Sequence, residues 1–392
     1  VPLKLLIIRL SAIGDVIHTI PIAAAIKKMA PDSQVSWVVQ PAAASLLKNN
    51  PSVDRVIQFP DKKVLSQALS LTPKKAAIDE LAKFYRELHS EKYDVAIDAQ
   101  GLFKSAILTY LSGAKVRIGF RNTREFADFF LTDAVDVGDY FAPQTSVVDM
   151  NMRLAERVRQ VSGLAELGEE HHPRFTLPEP PAEATANARK WIAAVPGVKA
   201  EGSGTTDITN IYIDIASSTQ NRKLAVLMPG TTWTSKIWPA PYWCQLATRL
   251  AIEHQYGIIL VGGPGEFATS LEIEESLIKQ GQTGVLNLTG RTSLLDLVAL
   301  FPQADLVIGG DTGPLHIAAA APAPHVVGIF GSTPRHRNGP YGKNATAIGL
   351  NLDCQPCFKK TCPLGTRACL IDFTPDEVLR QILEFIKRDD TV

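Results

Sequence analysis

The feature that most constrains this chain is a pattern of strand, glycine turn and helix that occurs near both ends. LKLLIIRL (residues 3–10) runs into SAIGDVIHTIP, and ADLVIGG (304–310) runs into DTGPLHIAAA. Each reads as a buried parallel strand, a tight turn at a glycine and then a helix. A helix that starts where such a strand ends points free N–H groups and the positive end of its dipole beyond the sheet edge. Two such edges predict two α/β domains facing each other, with an enzyme's site at the rims.

The intervening sequence keeps the same rhythm. Strands are expected at 4–9, 33–40, 55–59, 93–100 and 115–120, alternating with helices near 15–29, 41–49, 74–90, 101–113 and 147–162. The alternation restarts at Lys223, with strands at 223–230, 256–263, 285–290, 304–310 and 325–331 and helices near 241–255, 266–280, 293–303 and 315–321. Such a rhythm builds mostly parallel sheets with helices on both faces. A last helix, TPDEVLRQILEFIKR, repeats apolar residues near a 3.6 period and could pack on either domain.

Between the halves, HHPRFTLPEPPAE is proline-rich and extended. Residues 197–222 are rich in Gly, Ser, Thr and Asn and read as an exposed insertion, with IYIDI as a short strand inside it. The expected organisation is a first domain over 1–175, a linker with insertion over 176–222, a second domain over 223–370 and a terminal helix over 371–392. A chain of 392 residues suits two domains better than one.

Forty basic and forty acidic residues balance to zero net charge, so no field of one sign draws the whole molecule to nucleic acid, and none is expected as a partner. The apolar opening is interrupted by Arg9 and Asp15 and lacks a signal-peptide cleavage site. No apolar run reaches the roughly 18 residues of a spanning helix. A cytoplasmic protein is expected, with peripheral membrane contact left open.

In the N-terminal turn, Gly14 permits close approach, and Asp15 stands at the carboxyl edge of a strand, where open α/β sheets bind ligands. Its carboxylate either serves as a general base toward a hydroxyl or simply caps the helix. His18 lies three residues on, on the same helical face, as a site or a structural histidine.

The second half offers three strand-end turns. In PGTTWTSKIWP (229–239), Thr231 and Thr232 could donate to phosphate oxygens and Lys236 supplies a charge on a flexible stem; the alternative is an ordinary loop with a solvated lysine. Trp233 and Trp238 read as packing residues. In GGDTGPLH (309–316), Gly310 and Gly313 allow tight approach, and the amides after Asp311 form an anion cradle. Asp311 repels phosphate, so it orders the loop or accepts from a ligand hydroxyl, while His316 reaches a phosphate or packs beneath the site. In VGGPGE (261–266), Glu266 suits two ribose hydroxyls or, equally, the first turn of a helix.

Four of five cysteines cluster as Cys354, Cys357, Cys362 and Cys369; Cys244 sits in an expected helix as a small hydrophobe. Four thiolates could hold zinc, but the later spacings are not those of a common zinc finger, and CPLG alone does not make a ligand knuckle. An iron–sulfur site and reduced or redox-sensitive thiols are the other readings.

Taken together, SAIGDVIHTIP, PGTTWTSKIWP, GGPGE, GGDTGPLHIAAA and CQPCFKKTCPLGTRAC resemble the inverting glycosyltransferase family of the ADP-heptose:lipopolysaccharide heptosyltransferases. The cysteine-bearing tail is most similar to the heptosyltransferase II branch. The resemblance implies a GT-B fold: α/β, two Rossmann-like domains with parallel sheets facing across a cleft. It implies a nucleotide-sugar donor, ADP-heptose, on the second domain and a lipid-linked anionic saccharide acceptor on the first. Asp15 matches the family's general base. Thr231, Thr232 and Lys236 match residues near the donor phosphates, Lys236 also serving catalysis. Glu266 matches the ribose-contacting acid, and Asp311, Thr312, Gly313 and His316 match the second phosphate loop. His18, Lys104, Arg121 and Arg124 are the expected acceptor contacts.

The resemblance further implies lipopolysaccharide inner-core synthesis, on the cytoplasmic side and peripheral to the inner membrane. No metal or other cofactor is expected, and no D-x-D pair stands obviously at a strand end. The insertion at 197–222 departs from the family's pattern. The rivals are a transferase of the same fold with another donor or acceptor, and a non-catalytic nucleotide-binding or scaffold protein.

Overall fold

A computed structural model of the chain describes residues 2–68, 70, 72–166, 172–198 and 222–389. Most of the insertion expected at 197–222, including its short strand, lies outside the described residues. The chain divides into two units, Val1–Glu179 and Pro180–Val392.

The first unit holds β1 (Lys4–Ile8), β2 (Gln34–Val39), β3 (Arg55–Gln58), β4 (Val95–Asp98), β5 (Val116–Phe120) and β6 (Asp133–Val135). They form one sheet in the order β3-β2-β1-β4-β5-β6, and every pair is parallel. The inner strands are buried along nearly their whole length, which is why they read as continuous apolar runs rather than as alternating ones.

The second unit repeats the plan with β7 (Lys223–Met228), β8 (Tyr256–Leu260), β9 (Val285–Asn287), β10 (Leu306–Gly310), β11 (Val326–Ile329) and β12 (Ala345–Ile348). Its order is β12-β11-β10-β7-β8-β9, again all parallel. Counted from its own first strand, each sheet reads 3-2-1-4-5-6, the Rossmann order. The strand order therefore reverses between β1 and β4 in the first unit and between β7 and β10 in the second. Crevices outside the carboxyl ends of strands at such a reversal are where these sheets bind ligands.

The terminal helix, Pro375–Asp389, belongs to the second unit. Its apolar stripe, Val378, Leu379 and Ile382, is buried in one cluster with Trp238 and Phe373. Each such side chain contributes about 1.5–3 kcal/mol by leaving water, and the Trp238 indole N–H donates to the Phe373 carbonyl at 2.8 Å. The helix Ala182–Ala193 packs on Leu294–Leu300, which ties the segment before the insertion to the second unit.

Candidate functional site

In the first unit, β1 leads through residues 9–12 into the helix Ile13–Met29. Asp15 is the third helical residue, and its carboxylate accepts from the Ala12 amide at 3.2 Å. The helix-capping reading of Asp15 is thus realised. The same carboxylate lies 2.7 Å from Arg9 Nη2 while keeping 36% of its side-chain surface open. Burial is the largest influence on this carboxyl and raises its pKa. The charge of Arg9, then that of His18, and the Ala12 amide outweigh it, holding Asp15 below the ordinary carboxylate value.

Arg9 is itself buried. Its Nη1 donates to the Ala99 carbonyl at 2.5 Å, and the neighbouring Leu10 amide donates to Gln100 Oε1 at 2.9 Å. Residues 99 and 100 follow β4, so these bonds cross the reversal point. Asp98 closes that turn by accepting from the Gln100 and Gly101 amides, both at 2.9 Å. Burial raises its pKa against those bonds.

His18 is 3% exposed, so its side chain is buried rather than open to solvent. Lys104 opens the helix Phe103–Leu111 with its ammonium 4.1 Å from the Phe59 ring centre. Burial, then the nearby Lys62 charge, lowers its pKa. Arg124 stacks 4.8 Å over Phe141. Arg121, just past β5, lines an open polar pocket with Asp133 and Arg157, and these last two form an ion pair at 2.7 Å.

In the second unit, the turns after β7 and β10 meet. Lys236 Nζ lies 2.6 Å from Asp311 Oδ2, with the two side chains 14% and 11% exposed. Thr333 Oγ1 donates to the same oxygen at 2.5 Å, and Thr231 Oγ1 donates to the Asp311 carbonyl at 3.1 Å. The Lys236 ammonium also sits 4.3 Å over the Trp233 ring. Asp311 therefore orders the loop, one of the two roles the sequence left for it, and it does so by aiming the lysine. A Cβ on Gly310 would stand 3.8 Å from the Lys236 carbonyl and 4.0 Å from that of Gly230, which measures how closely the turns approach.

Thr312 stands at the N-cap position of the helix Gly313–Ala320 without a capping bond from its side chain. Pro314 has no N–H, and the Leu315 amide turns back to the Thr312 carbonyl. Of the first three helical residues, only Gly313 has an amide to offer an anion. Thr232 is exposed, whereas His316 in the first turns of this helix is buried.

Glu266 reaches the same edge from the turn after β8. Its carboxylate accepts from the Gly263 amide at 2.9 Å. Its side chain also lies flat across two glycines: a Cβ would come within 1.9 Å of its Cδ at Gly230 and within 2.2 Å of its Oε2 at Gly262. Burial raises its pKa, partly offset by the Gly263 amide. Lys236, Asp311, Gly313 and Glu266 are thus gathered at one sheet edge.

Sequence reasoning missed Arg9, read there only as a charge breaking an apolar run, and Thr333, which arrives from the turn after β11. Cys244 is buried, as expected, and all five cysteines are free. Burial, reinforced by the other three cysteines of its cluster, pushes the Cys369 thiol up to about 11. Among the described residues, no group of three or more His, Cys, Asp or Glu side chains is placed to hold a metal ion. No described helix is long and apolar enough to cross a membrane.

Residues 81–367 match the model of glycosyltransferase family 9 (heptosyltransferase). The chain is 28% identical, over 92% of its length and 87% of the relative's, to lipopolysaccharide heptosyltransferase 1 of Pseudomonas aeruginosa. It is 33% identical to lipooligosaccharide heptosyltransferase 2 of Campylobacter jejuni over 42% of its own length and 52% of that protein's. Its structure is similar to that of E. coli heptosyltransferase WaaC with ADP-2-deoxy-2-fluoro heptose, with a TM-score of 0.68 and 25% identity, covering 97% of this chain and 99% of that one.

Proposed function

The chain belongs to glycosyltransferase family 9, and from that premise we propose that it transfers a heptose from ADP-heptose to the inner core of a lipopolysaccharide acceptor, inverting the anomeric carbon. The observation that carries the donor half is the Lys236–Asp311 pair bridging the turns after β7 and β10. It holds an ammonium against the turn that leads into the helix starting at Gly313, at the edge where a Rossmann-like sheet takes a nucleotide diphosphate. Thr231 and Thr232 flank that position, and Glu266 accepts the ribose hydroxyls. No step of this scheme calls for a metal.

On the first unit, Asp15 is the base. The acceptor hydroxyl oxygen bonds to the anomeric carbon as the bond from that carbon to the phosphate oxygen breaks. The electron pair leaves with ADP, and the hydroxyl proton passes to the Asp15 carboxylate. A carboxylate held at low pKa is a weak base. It suffices where proton transfer comes late, because the attacking oxygen becomes strongly acidic as its new bond forms. Lys236 and the Gly313 amide meet the charge growing on the leaving diphosphate.

Arg121, Arg124 and Lys104 are the cations for an anionic core saccharide, and His18 acts on the acceptor side through Asp15. The acceptor is lipid-linked, so the enzyme works at the cytoplasmic face of the inner membrane. Phe126 and Phe129, 76% and 83% exposed beside Arg124, are apolar groups suited to that surface. The cysteine-bearing tail favours the second heptosyltransferase type.

A panel of ADP-heptose, UDP-sugars and GDP-sugars, each offered with acceptor cores carrying no heptose or one heptose, tests this reading. Turnover is expected with ADP-heptose and the one-heptose core. Preference for another nucleotide sugar overturns the donor assignment, and preference for the heptose-free core moves the chain to the first type.

A further inference from the structure

The cysteine cluster is the one motif that this reaction leaves unused. Cys354, Cys357, Cys362 and Cys369 all line a single small cavity of about 20 Å3 in the second unit, a volume that suits one small occupant. The backbone around Cys362 is folded toward its sulfur. The Arg367 amide donates to Cys362 Sγ at 3.4 Å, and the Gly365 amide donates to the Cys362 carbonyl at 3.2 Å. Gly365 at φ +70° and Arg367 at φ +53° make that turn. CPLG thus opens a tight turn that brings one backbone amide onto the cysteine sulfur, which its sequence alone did not indicate. A backbone amide donated to a sulfur orients it, as outer hydrogen bonds orient the ligands of a metal.

The opposite arm is equally fixed. Between Cys354 and Cys357, Gln355 Nε2 donates to the Gly331 carbonyl at 2.6 Å, and just past Cys357 the Phe358 amide donates to the Ser332 carbonyl at 2.9 Å. A C-x-x-C pair on one arm and an amide-bonded cysteine on the other, with a fourth sulfur between them and the core, make a donor set of four thiols.

We propose that Cys354, Cys357, Cys362 and Cys369 bind one thiolate-preferring divalent ion of the zinc class. Four sulfurs suit tetrahedral coordination. As placed, no three of them close on a common point, so binding draws the sulfurs into the cavity. Each ligating thiol releases its proton to solvent as its sulfur bonds to the metal, and no oxidant or reductant takes part.

The segment between the cysteines also braces the turn that carries Lys236. The Lys360 carbonyl accepts from Thr234 Oγ1 at 2.9 Å and from the Ser235 amide at 3.1 Å. The Lys359 carbonyl accepts from Ser235 Oγ at 2.5 Å, and the Arg367 guanidinium donates to the Ile237 carbonyl. The bound ion therefore stiffens the support of Lys236. This consequence rests on the donor-binding reading above; the metal site does not.

The test uses full-length protein purified under reducing conditions without a metal-affinity tag. It is stripped with a chelator and titrated with Zn2+ while bound metal and native thiol reactivity are read together. One ion per chain, with the cluster thiols protected from alkylation in step with binding, is the expected result; iron at the same stoichiometry without acid-labile sulfide supports the same site. Cys244→Ser keeps the ion, and Cys357→Ser with Cys362→Ser loses it. Absence of stoichiometric binding and thiol protection in the wild-type chain overturns the site even if that double variant fails to fold. Retention of the ion by the folded double variant, or recovery of an iron–sulfide cluster, overturns it as well. ADP affinity should fall severalfold on stripping; unchanged affinity with a bound ion removes the bracing role, whereas failure of ADP to bind in both states counts against the donor reading instead.

Discussion

Lys236 Nζ and Asp311 Oδ2 stand 2.6 Å apart, and each belongs to a different strand-end turn of the second sheet. The pair crosses the reversal between β7 and β10, as Arg9 and the Ala99 carbonyl cross the reversal between β1 and β4 at 2.5 Å. In each unit a cation from the segment after the first strand reaches the segment after the fourth, at the carboxyl edge of the sheet. In the second unit the partner is a carboxylate, so the ammonium is aimed without being left unpaired in a poorly solvated place.

If that ammonium serves a diphosphate, Lys236→Ala should weaken ADP binding by roughly 10- to 150-fold, the 1.5–3 kcal/mol of a hydrogen bond to a charged group. Asp311→Asn should cost less, because it loosens the lysine without removing it. A double-mutant cycle read by calorimetric titration should give a coupling of about 0.5–3 kcal/mol. Strict additivity would mean that Asp311 does not act through Lys236.

Gly230 offers a steric test of Glu266. A methyl group there collides with the Glu266 side chain at 1.9 Å, so Gly230→Ala should destabilise the fold by about 1–3 kcal/mol and weaken nucleotide binding. Adding Glu266→Ala should restore stability in a denaturant melt, since the collision is with that side chain, but should not restore nucleotide affinity. Recovery of both would leave the Glu266 carboxylate without a role in the ribose site.

If Asp15 is the base, its pair with Arg9 at 2.7 Å sets the acid limb of activity. Asp15 is held below the ordinary carboxylate value despite burial. It therefore contributes stability that is present above the unfolded-state pKa and lost as pH falls through the lower folded value. Arg9→Met removes the largest lowering influence and leaves burial to raise the pKa. The acid limb of kcat should then move toward neutral pH. A limb that stays put in a variant shown to be folded by circular dichroism would detach Asp15 ionisation from turnover.

Much of this architecture was legible because buried parallel strands announce themselves. KLLII, VAID and LVIGG are short apolar runs ending at turn residues, and the structure makes them β1, β4 and β10 at the two reversals. Of the four edge strands, Arg55–Gln58 and Val285–Asn287 were legible and the other two were not. Asp133–Val135 and Ala345–Ile348 are short and largely half-buried, with no apolar run to mark them. The stretch at 41–49 was read as one helix, but only Pro41–Ala44 is helical. Within the site, local residues such as Lys236, Asp311 and Glu266 carried a pattern of their own. Arg9 and Thr333 did not, because their roles come from contacts with residues 99 and 311, which only the fold brings near. The same holds for the Cys362 sulfur, whose one amide donor, Arg367, stands in a left-handed conformation.

The most direct measurement is single-turnover transfer from ADP-heptose to a lipopolysaccharide core acceptor by the wild-type chain and by Asp15→Asn, with donor affinity measured on both. The account predicts a rate loss of about 10²- to 10⁴-fold, the usual contribution of a positioned base, while ADP-heptose affinity stays within about twofold because the donor is held by the other unit. Equal rates in the two proteins, with the donor bound equally, would contradict it.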